Sequence, residues 1–294
     1  MRYFFRGSTL FLRGEFTAAS TGVGGGLGRV RTIVNSTVPA DWDHADPERY
    51  LWLRVVEEGF PRDFYGLLTA VEMKDACVMQ HDFITCFVTA GVTHPDPSDE
   101  GTINVIMHSS EGLSDAALLE SIITVTEAKA LALRDLGHGF AGTTTDGVIA
   151  ACEGPVKHTY AGSLTEAGKR IHSAVRFGVQ EALKRQQGTI ATEKPTLFVF
   201  SRYGGAHWAL WSPDSCPYYP CHFSGQSCDF CYCPFYPCRD PELGSFVNSS
   251  AGGKVWSCSS CPLVHYPRIA EYLKRNPEAT LRELKALWER SGPD

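Results

Sequence analysis

The sequence predicts an α+β or mixed α/β domain, in which helices pack on a layered mixed β-sheet, followed by a small cysteine-rich domain. Strand-like runs come in clusters between long helical segments, so regular βαβ alternation is absent. Eight of the eleven cysteines lie between Cys216 and Cys261, and 294 residues exceed one average domain. We therefore divide the chain into a first domain at 1–190, a connecting segment at 191–212 and a cysteine-rich domain with a C-terminal helix at 213–294.

The elements of the first domain follow from local patterns. Alternating apolar and polar residues predict a strand at 29–35, after a glycine-rich turn. Asp46-Pro47 supplies an N-cap and a first-turn proline, which opens a helix that extends to residue 58. Capping-box spacing at 163–166 opens a later helix. The remaining predicted elements are strands at 66–73, 83–89 and 101–108, a helix at 114–137, a strand at 144–152, the helix through 184, a strand at 196–201 and an amphipathic helix at 276–291.

The composition is typical of a folded, soluble protein and excludes several classes. Hydrophobic residues make up 43% and charged residues 20% of the chain, which argues against intrinsic disorder. The net charge is −6 without a basic stripe, so we expect no nucleic-acid partner. No uninterrupted apolar run is long enough to cross a membrane. Arg13 and Glu15 interrupt the N-terminal segment, which therefore lacks a signal-peptide core, and we expect a cytoplasmic protein.

A lysine interrupts the apolar face of the predicted helix at 114–137. At about 100° per residue, the apolar face comprises Leu118, Ile122, Val125, Leu133 and Leu136. The opposite, solvated face comprises Glu120, Thr124, Glu127 and Arg134. Lys129 projects from the middle of the apolar face. Burying an unpaired ammonium is costly, so this lysine needs an acidic partner or must reach solvent. It is either a structural ion-pair partner or part of a site.

The glycine-rich segment at 21–28 invites comparison with nucleotide-binding loops. The third glycine of G-x-G-x-x-G is replaced by Leu27 or Arg29, depending on the starting glycine, and no G-x4-G-K-[ST] is present. A glycine backbone can instead approach a bulky ligand closely or turn sharply. A ligand-facing loop and a plain tight connection both remain open.

Three threonines precede an aspartate in Gly142-Thr143-Thr144-Thr145-Asp146, at the start of a predicted strand. Hydroxyls beside a carboxylate can orient a water, a nucleophile or a substrate amide. An aspartate near a turn also commonly bonds only to backbone amides. The motif alone does not separate a catalytic role from a structural one.

The cysteine cluster has the spacing of a metal-binding module. Two C-x4-C pairs and two C-x2-C pairs occur within 46 residues, with two histidines close by. Paired thiolates at short spacing suit tetrahedral zinc, and eight cysteines can complete two four-sulfur sites. An iron–sulfur cluster, also held by four thiolates, is the less favoured alternative. We predict a small zinc-type domain with structural zinc, and the candidate ligands are Cys216, Cys221, His222, Cys228, Cys231, Cys233, Cys238, Cys258, Cys261 and His265.

Five short motifs occur in order in the first domain: Gly66-Leu-Leu-Thr-Ala70, Val88-Thr-Ala-Gly-Val92, Gly101-Thr-Ile-Asn104, Thr124-Val-Thr-Glu-Ala-Lys129 and Gly142-Thr-Thr-Thr-Asp146. Together they resemble the adenosylcobinamide amidohydrolase family over about residues 5–187. The region from Cys216 to His265 carries Cys-x4-Cys-His, Phe-Cys-Tyr-Cys-Pro and Cys-x3-His signatures, through which it resembles a cysteine-rich small domain.

The resemblance implies hydrolysis of one amide in a large corrinoid. Adenosylcobinamide would yield adenosylcobyric acid and aminopropanol, which returns scavenged corrinoid to cobalamin biosynthesis. Amide hydrolysis needs a nucleophile or an activated water, and donors for the developing oxyanion. Of the candidate catalytic residues, Asp146 is the preferred base, and Glu127 is a base that its helical phase disfavours. Lys129 and Asn104 are candidates to polarise the carbonyl. Thr144 belongs to a threonine motif that could supply a nucleophile. The candidate substrate-binding residues are Gly24, Gly25, Gly26, Thr69 and Thr89.

Two other interpretations of the whole chain remain. A non-catalytic corrinoid- or metal-binding protein would use the cysteine-rich region to sense or deliver metal. A zinc-ribbon nucleic-acid binder is disfavoured, because the chain is acidic and has few Lys or Arg residues between Cys216 and Cys261. We expect a corrinoid small molecule as partner, and neither nucleic acid nor membrane. The sequence leads to no expectation about oligomeric state.

Overall fold

The protein is described by a computed structural model that covers residues 1–39, 41–43, 45–92, 101–202, 205–211, 219–231, 233–248, 253–276 and 278–291. The chain separates into two compact units, with the division after Trp211. The described residues include no helix long and apolar enough to span a membrane.

A ten-stranded mixed sheet forms the centre of the first unit. Its order is β12-β11-β5-β6-β7-β9-β2-β3-β4, with β1 paired to β2. The pairs β3–β4, β7–β9 and β5–β11 are parallel, and the other pairs along this order are antiparallel. The strands are β1 Arg2–Arg6, β2 Thr9–Ser20, β3 Gly26–Thr37, β4 Phe64–Thr69, β5 Cys77–His81, β6 Ile84–Val92, β7 Gly101–Ser109, β8 Gly112–Leu113, β9 Gly147–Cys152, β10 Val156–His158, β11 Thr196–Ser201 and β12 His207–Leu210, of which β8 and β10 pair separately. The predicted layered mixed sheet is confirmed.

Three helices cover this sheet: α1 (Pro47–Glu57), α2 (Asp115–Asp135) and α3 (Glu166–Gln186). The helices α2 and α3 pack on one face of β5, β6, β7 and β9, with Val125 and Val175 in that core. The strands β2, β3 and β4 pack over the other face, in a core that includes Ile33 and Ile106. Helix α1 covers the outer side of β3 and β4. The first unit is therefore layered as helices, sheet, folded-over strands and helix.

Side-chain caps define where the helices begin. Asp46 accepts a hydrogen bond from the Arg49 amide and Ser114 accepts one from the Ala117 amide, as their sequence positions predict. The third helix differs, because Thr165 rather than Ser163 is its N-cap. Thr165 is the residue whose hydroxyl reaches a free first-turn amide, so the predicted helix start at 163 is two residues too early.

One helical face prediction is wrong in part. Thr124 was expected on the solvated face of α2, yet it is buried and donates a hydrogen bond to the Ala161 carbonyl at 2.9 Å. Glu120 accepts from the amides of Ala161 and Gly162, so this segment covers that side of the helix. Leu136, expected on the apolar face, is 40% exposed because it lies beyond the last helical residue.

The segment 191–212, predicted as a connection, contributes strands β11 and β12 to the main sheet. The expected strand at 196–201 pairs with β5 in parallel, with Phe198 opposite Met79. This parallel pairing joins elements more than a hundred residues apart in sequence, which local pattern cannot reveal.

The second unit contains a hairpin and two short helices. The hairpin joins β13 (Ser245–Asn248) to β14 (Lys254–Ser257), and the helices are α4 (Pro267–Arg275) and α5 (Leu281–Ser291). Their apolar sides share a small core that includes Leu284, which is fully buried. The C-terminal amphipathic helix therefore packs on the core of its own unit.

Candidate active site and cysteine cluster

An ion pair between Lys129 and Asp146 is the chemical centre of the first unit. Lys129 projects from the middle of α2, and Asp146 immediately precedes β9. Their side chains are only 8% and 10% exposed. The lysine on the apolar face of the helix therefore does have the acidic partner that burial requires.

Asp146 is held by three further donors. Its Oδ1 accepts the Ile103 amide at 2.8 Å and the Thr143 hydroxyl at 2.6 Å, while Oδ2 accepts the Thr143 amide at 3.0 Å. A Cβ atom at Gly142 would come within 2.5 Å of Asp146 Oδ2 and 2.6 Å of Lys129 Nζ, so any larger residue there would displace the ion pair. This set of donors fixes the orientation of the carboxylate.

A buried layer of amides lies beside the ion pair. Asn104, opposite Gly147 in the sheet, donates to the Leu68 carbonyl at 2.7 Å and to Asn35 Oδ1 at 3.2 Å. Its own Oδ1 accepts the Gly147 amide at 3.1 Å. Asn35 in turn donates to the Thr89 hydroxyl at 3.0 Å. Both N–H bonds of Asn104 are thus used within the protein, so this network fixes the strand end that carries Asp146.

Asn35 was missed by sequence reasoning. It lies on β3 within a run of buried residues, and only 3% of it is exposed. The signal for it is an amide directly after the apolar pair Ile33-Val34 of a strand, because buried polar groups need hydrogen-bond partners.

The other predicted residues of the first domain fall into two groups. Thr69 and Thr89 are buried, and Thr69 accepts the Val71 amide at 3.1 Å, so both hydroxyls make internal bonds. Thr144 and Glu127 are exposed. Among the three threonines of the motif, the structure therefore brings Thr143, not Thr144, to the carboxylate of Asp146.

The glycine-rich loop lies at the same end of the sheet as Asp146. The Thr21 amide donates to the Val148 carbonyl at 3.0 Å, two residues after the aspartate. Gly24, Gly25 and Gly26 follow and are exposed. Gly24 has φ +71° and Gly26 has φ +124°, so the turn between β2 and β3 needs glycine at these positions.

Six of the seven described cysteines of the second unit, all except Cys228, line one cavity of about 250 Å³. No three histidine, cysteine or acidic side chains of the described part of this chain already stand in an arrangement that could hold a metal ion. Cys216 lies outside the described residues, and the ten described cysteines are all free thiols. The predicted ligands that line the cavity are Cys221, His222, Cys231, Cys233, Cys238, Cys258, Cys261 and His265.

Electrostatics link four of these thiols. Burial raises the pKa of Cys233 to about 11, and the neighbouring thiols of Cys258, Cys261 and Cys238 contribute in the same direction. Burial likewise raises the pKa of Cys258 and of Cys261. Without a cation the thiols of Cys233, Cys258 and Cys261 stay protonated at neutral pH. A divalent cation would favour the thiolates that bind it.

Comparison with known proteins agrees with both units. Residues 10–191 match the family model described as adenosylcobinamide amidohydrolase, and residues 207–287 match a cysteine-rich small domain. An adenosylcobinamide amidohydrolase of Methanosarcina mazei is 42% identical over 196 residues, which cover 63% of this chain and 98% of the relative. The protein of the same name from Halobacterium salinarum is 34% identical over 182 residues, 56% of this chain and 78% of the relative.

A third relative shares a shorter segment. It is a probable cobalt-factor III C(17)-methyltransferase of Methanothermobacter thermautotrophicus, 46% identical over 63 residues, which make up 21% of this chain and 17% of that protein. No solved structure matches the chain. Because the family model covers more than half of the residues and one relative is matched over nearly its whole length, the chain belongs to the adenosylcobinamide amidohydrolase family.

Proposed function

We propose that this chain hydrolyses the amide that links aminopropanol to the corrinoid in adenosylcobinamide, giving adenosylcobyric acid for cobalamin salvage. Membership of the family and the 42% identical relative support the substrate. The observation that carries the chemistry is the buried pair of Lys129 and Asp146 with the Thr143 hydroxyl on the same carboxylate. This arrangement places a base, a cation and a hydroxyl within one site.

The geometry favours Thr143 as the nucleophile. Its Oγ donates to Asp146 Oδ1 at 2.6 Å, which is the contact a hydroxyl needs to pass its proton to a base. The oxygen adds to the amide carbonyl, and the proton moves to Asp146. Collapse of the tetrahedral intermediate breaks the C–N bond, and the proton leaves on the amine of aminopropanol. Water then cleaves the ester, which restores the threonine.

Direct attack by water is the second mechanism. Asp146 would take the proton from water, which adds to the carbonyl, and the same proton would leave on aminopropanol. In both mechanisms the ammonium of Lys129 stabilises the negative oxygen of the intermediate, because it lies beside the carboxylate in a site largely closed to water.

The other predicted site residues have indirect roles in this proposal. Asn104 acts through the strand end that it holds, since its donors bind Leu68 and Asn35. The exposed glycines at 24–26 offer a backbone that a wide macrocycle can approach closely. Thr144 and Glu127 are exposed, so any contribution from them would be to the substrate rather than to the buried pair.

Product release from the purified full chain tests the function. Incubation with adenosylcobinamide should release aminopropanol and adenosylcobyric acid in equal amounts, over many turnovers per protein. Binding of the corrinoid without release of aminopropanol would favour the non-catalytic alternative. No binding and no release would overturn the assignment of substrate.

We infer that the cysteine-rich domain binds zinc as a structural ion. The thiols that line one cavity and the absence of disulfides among the described cysteines support this inference. Reduced thiols also fit a cytoplasmic location. Metal analysis of the protein, purified without added metal, should find zinc, and iron in place of zinc would favour an iron–sulfur or iron–thiolate site.

A further inference from the structure

Gln226 connects two of the cysteines in the second unit. Its side-chain nitrogen lies 3.1 Å from the sulfur of Cys221 and 3.3 Å from the sulfur of Cys228. The other end of the same amide accepts the His222 amide at 2.9 Å. Gln226 is only 6% exposed. A buried amide that directs both of its N–H bonds at sulfur atoms resembles the outer partners that orient thiolate ligands in metal sites.

A buried histidine stands next to this glutamine. The ring of His265 lies 4.4 Å from the ring of His222, centroid to centroid, and only 6% of His265 is exposed. Its Nδ1 lies 2.8 Å from the Ser227 carbonyl, which places the proton on Nδ1. Nε2 is then the ring nitrogen left to face a metal ion, as in metal-ligating histidines whose other nitrogen is held by a carbonyl.

Cys228 and Cys231 form the turn of a C-x2-C pair. The Cys231 amide donates to the Cys228 carbonyl at 3.2 Å, so the two residues follow one tight turn. Cys231 lines the cavity together with His265. Cys221, the C-x2-C pair and the histidine thus provide three sulfurs and one nitrogen, a known combination for structural zinc.

The other four thiols form a separate group. Cys258 and Cys261 share the same kind of turn, with the Cys261 amide 3.0 Å from the Cys258 carbonyl. This turn directly follows the hairpin strand β14, whereas Cys233 and Cys238 come from the segment that precedes the hairpin. All four line the cavity. The hairpin therefore brings its own pair of cysteines to the second C-x4-C pair.

We propose that the cysteine-rich domain holds two zinc ions in separate sites of different composition, with Gln226 as a positioning residue of one site only. This proposal deepens the inferred zinc binding and rests on it. Because no three ligand side chains of the described residues already form a metal-binding arrangement, the proposal requires the cysteine side chains to turn toward each ion when zinc binds. The four-sulfur site comprises Cys233, Cys238, Cys258 and Cys261, and the sulfur–nitrogen site comprises Cys221, Cys228, Cys231 and His265.

Metal content and spectra of full-length variants test this partition. We expect two zinc ions in the unmodified chain and one each in Cys238→Ser and His265→Gln. In His265→Gln only the four-sulfur site stays intact, so bound cobalt(II) should show the lower-energy d–d bands of four thiolates. In Cys238→Ser only the sulfur–nitrogen site stays intact, so bound cobalt(II) should show the higher-energy bands of a mixed ligand set. One zinc per chain, or loss of both ions in each variant with the fold retained, would overturn the partition. A complete lack of metal would instead contradict the inferred zinc binding.

Variants of Gln226 separate its role from folding. Gln226→Glu keeps an acceptor for the His222 amide but places a carboxylate oxygen at the sulfurs in place of N–H donors. We expect about 10–100-fold weaker zinc binding at the mixed site, measured by chelator competition, and unchanged binding at the four-sulfur site. Gln180→Leu, which changes a glutamine on the surface of α3, should alter neither affinity. Equal weakening of both sites by Gln226→Glu would contradict the proposal.

Substitution of Cys216 gives a further test of the assigned ligand sets. The two proposed sites each have four ligands without Cys216, a residue that lies outside the described part of the chain. Cys216→Ser should therefore retain two zinc ions with unchanged cobalt spectra. Loss of one ion would show that Cys216, rather than one of the assigned residues, completes a site, and would overturn the assigned ligand sets.

Discussion

The ammonium of Lys129 and the carboxylate of Asp146 form a nearly buried ion pair between the middle of α2 and the start of β9. Neither charge would be stable there alone, because an unpaired charge loses its hydration on burial. The Thr143 hydroxyl shares this carboxylate. The pair therefore connects the helix to the sheet at the point where the proposed reaction takes place. A substitution of either residue should affect both the stability of the protein and its turnover.

Loss of the Lys129 ammonium should decrease both the stability of the protein and its turnover. Lys129→Met leaves Asp146 without its ion-pair partner, and we expect the free energy of unfolding to fall by about 3–5 kcal/mol. We expect aminopropanol release to fall about 10²–10³-fold in protein that remains folded, since the oxyanion loses its cation. Urea unfolding and the release assay measure the two effects. Lys157→Met, an exposed lysine paired with Glu111, is the matched control and should cost no more than about 1 kcal/mol.

Loss of the base should decrease turnover and also stability, because the buried ammonium of Lys129 is then left without its ion-pair partner. Asp146→Asn keeps the size of the side chain but removes its charge, so we expect a decrease of about 10²–10⁴-fold in kcat. Circular dichroism should still show a folded chain. Near-normal turnover of a folded Asp146→Asn protein would remove Asp146 from the mechanism.

Thr143 decides between the two mechanisms. Thr143→Ser retains a hydroxyl and should keep measurable turnover, whereas Thr143→Ala should lose it if an ester forms on this residue. Mass spectrometry after rapid quenching should then show a corrinoid acyl adduct on the peptide that contains Thr143. Thr126→Ala, at an exposed position of α2, is the control. Full activity of Thr143→Ala with no adduct would favour direct attack by water.

The amide layer makes a prediction about stability. Asn104→Leu removes the partner of the buried Gly147 amide and of the Leu68 carbonyl. Each polar group left without a partner costs about 1–3 kcal/mol. We therefore expect the free energy of unfolding, measured with urea, to fall by at least this amount. Asn248→Leu, an exposed position in the hairpin, should change stability little. Equal effects of the two substitutions would contradict the structural role of the layer.

His81 should make the protein less stable in mild acid. Burial lowers the pKa of His81 to about 4, from an ordinary value of 6.5, and its ring stacks on Phe200 with centroids 3.9 Å apart. Between these two values the unfolded chain takes up a proton that the folded chain does not. The free energy of unfolding should therefore fall as pH decreases from about 6.5 to about 4, by up to about 3 kcal/mol.

The variant His81→Phe isolates this contribution. It keeps an aromatic ring against Phe200 but cannot titrate. Urea unfolding at several pH values should show a shallower decrease for His81→Phe than for the unmodified protein across that range. Parallel curves for the two proteins would mean that His81 does not contribute to the pH dependence.

Much of the fold was visible in the sequence because it depends on local patterns. The caps at Asp46 and Ser114 define helix starts that need only neighbouring residues. The α2 face was partly mispredicted at Thr124, since its burial depends on a segment 37 residues away in sequence. Strands β1, β2, β5 and β12 of the main sheet and both hairpin strands of the second unit were missed, because strand pairing is set by partners elsewhere in the chain.

The sequence by itself determined that Lys129 needs either an acidic partner or a route to solvent, that a cysteine-rich metal-type domain follows, and which family the motifs resemble. Helical phase, composition and spacing are properties of neighbouring residues. Only the tertiary structure decided that Asp146 is the partner of Lys129, that Thr143 is the threonine at its carboxylate, and that Asn35 supports the strand end. Those contacts join separate strands and helices, so they exist only once the sheet has folded over and the helices have packed on it.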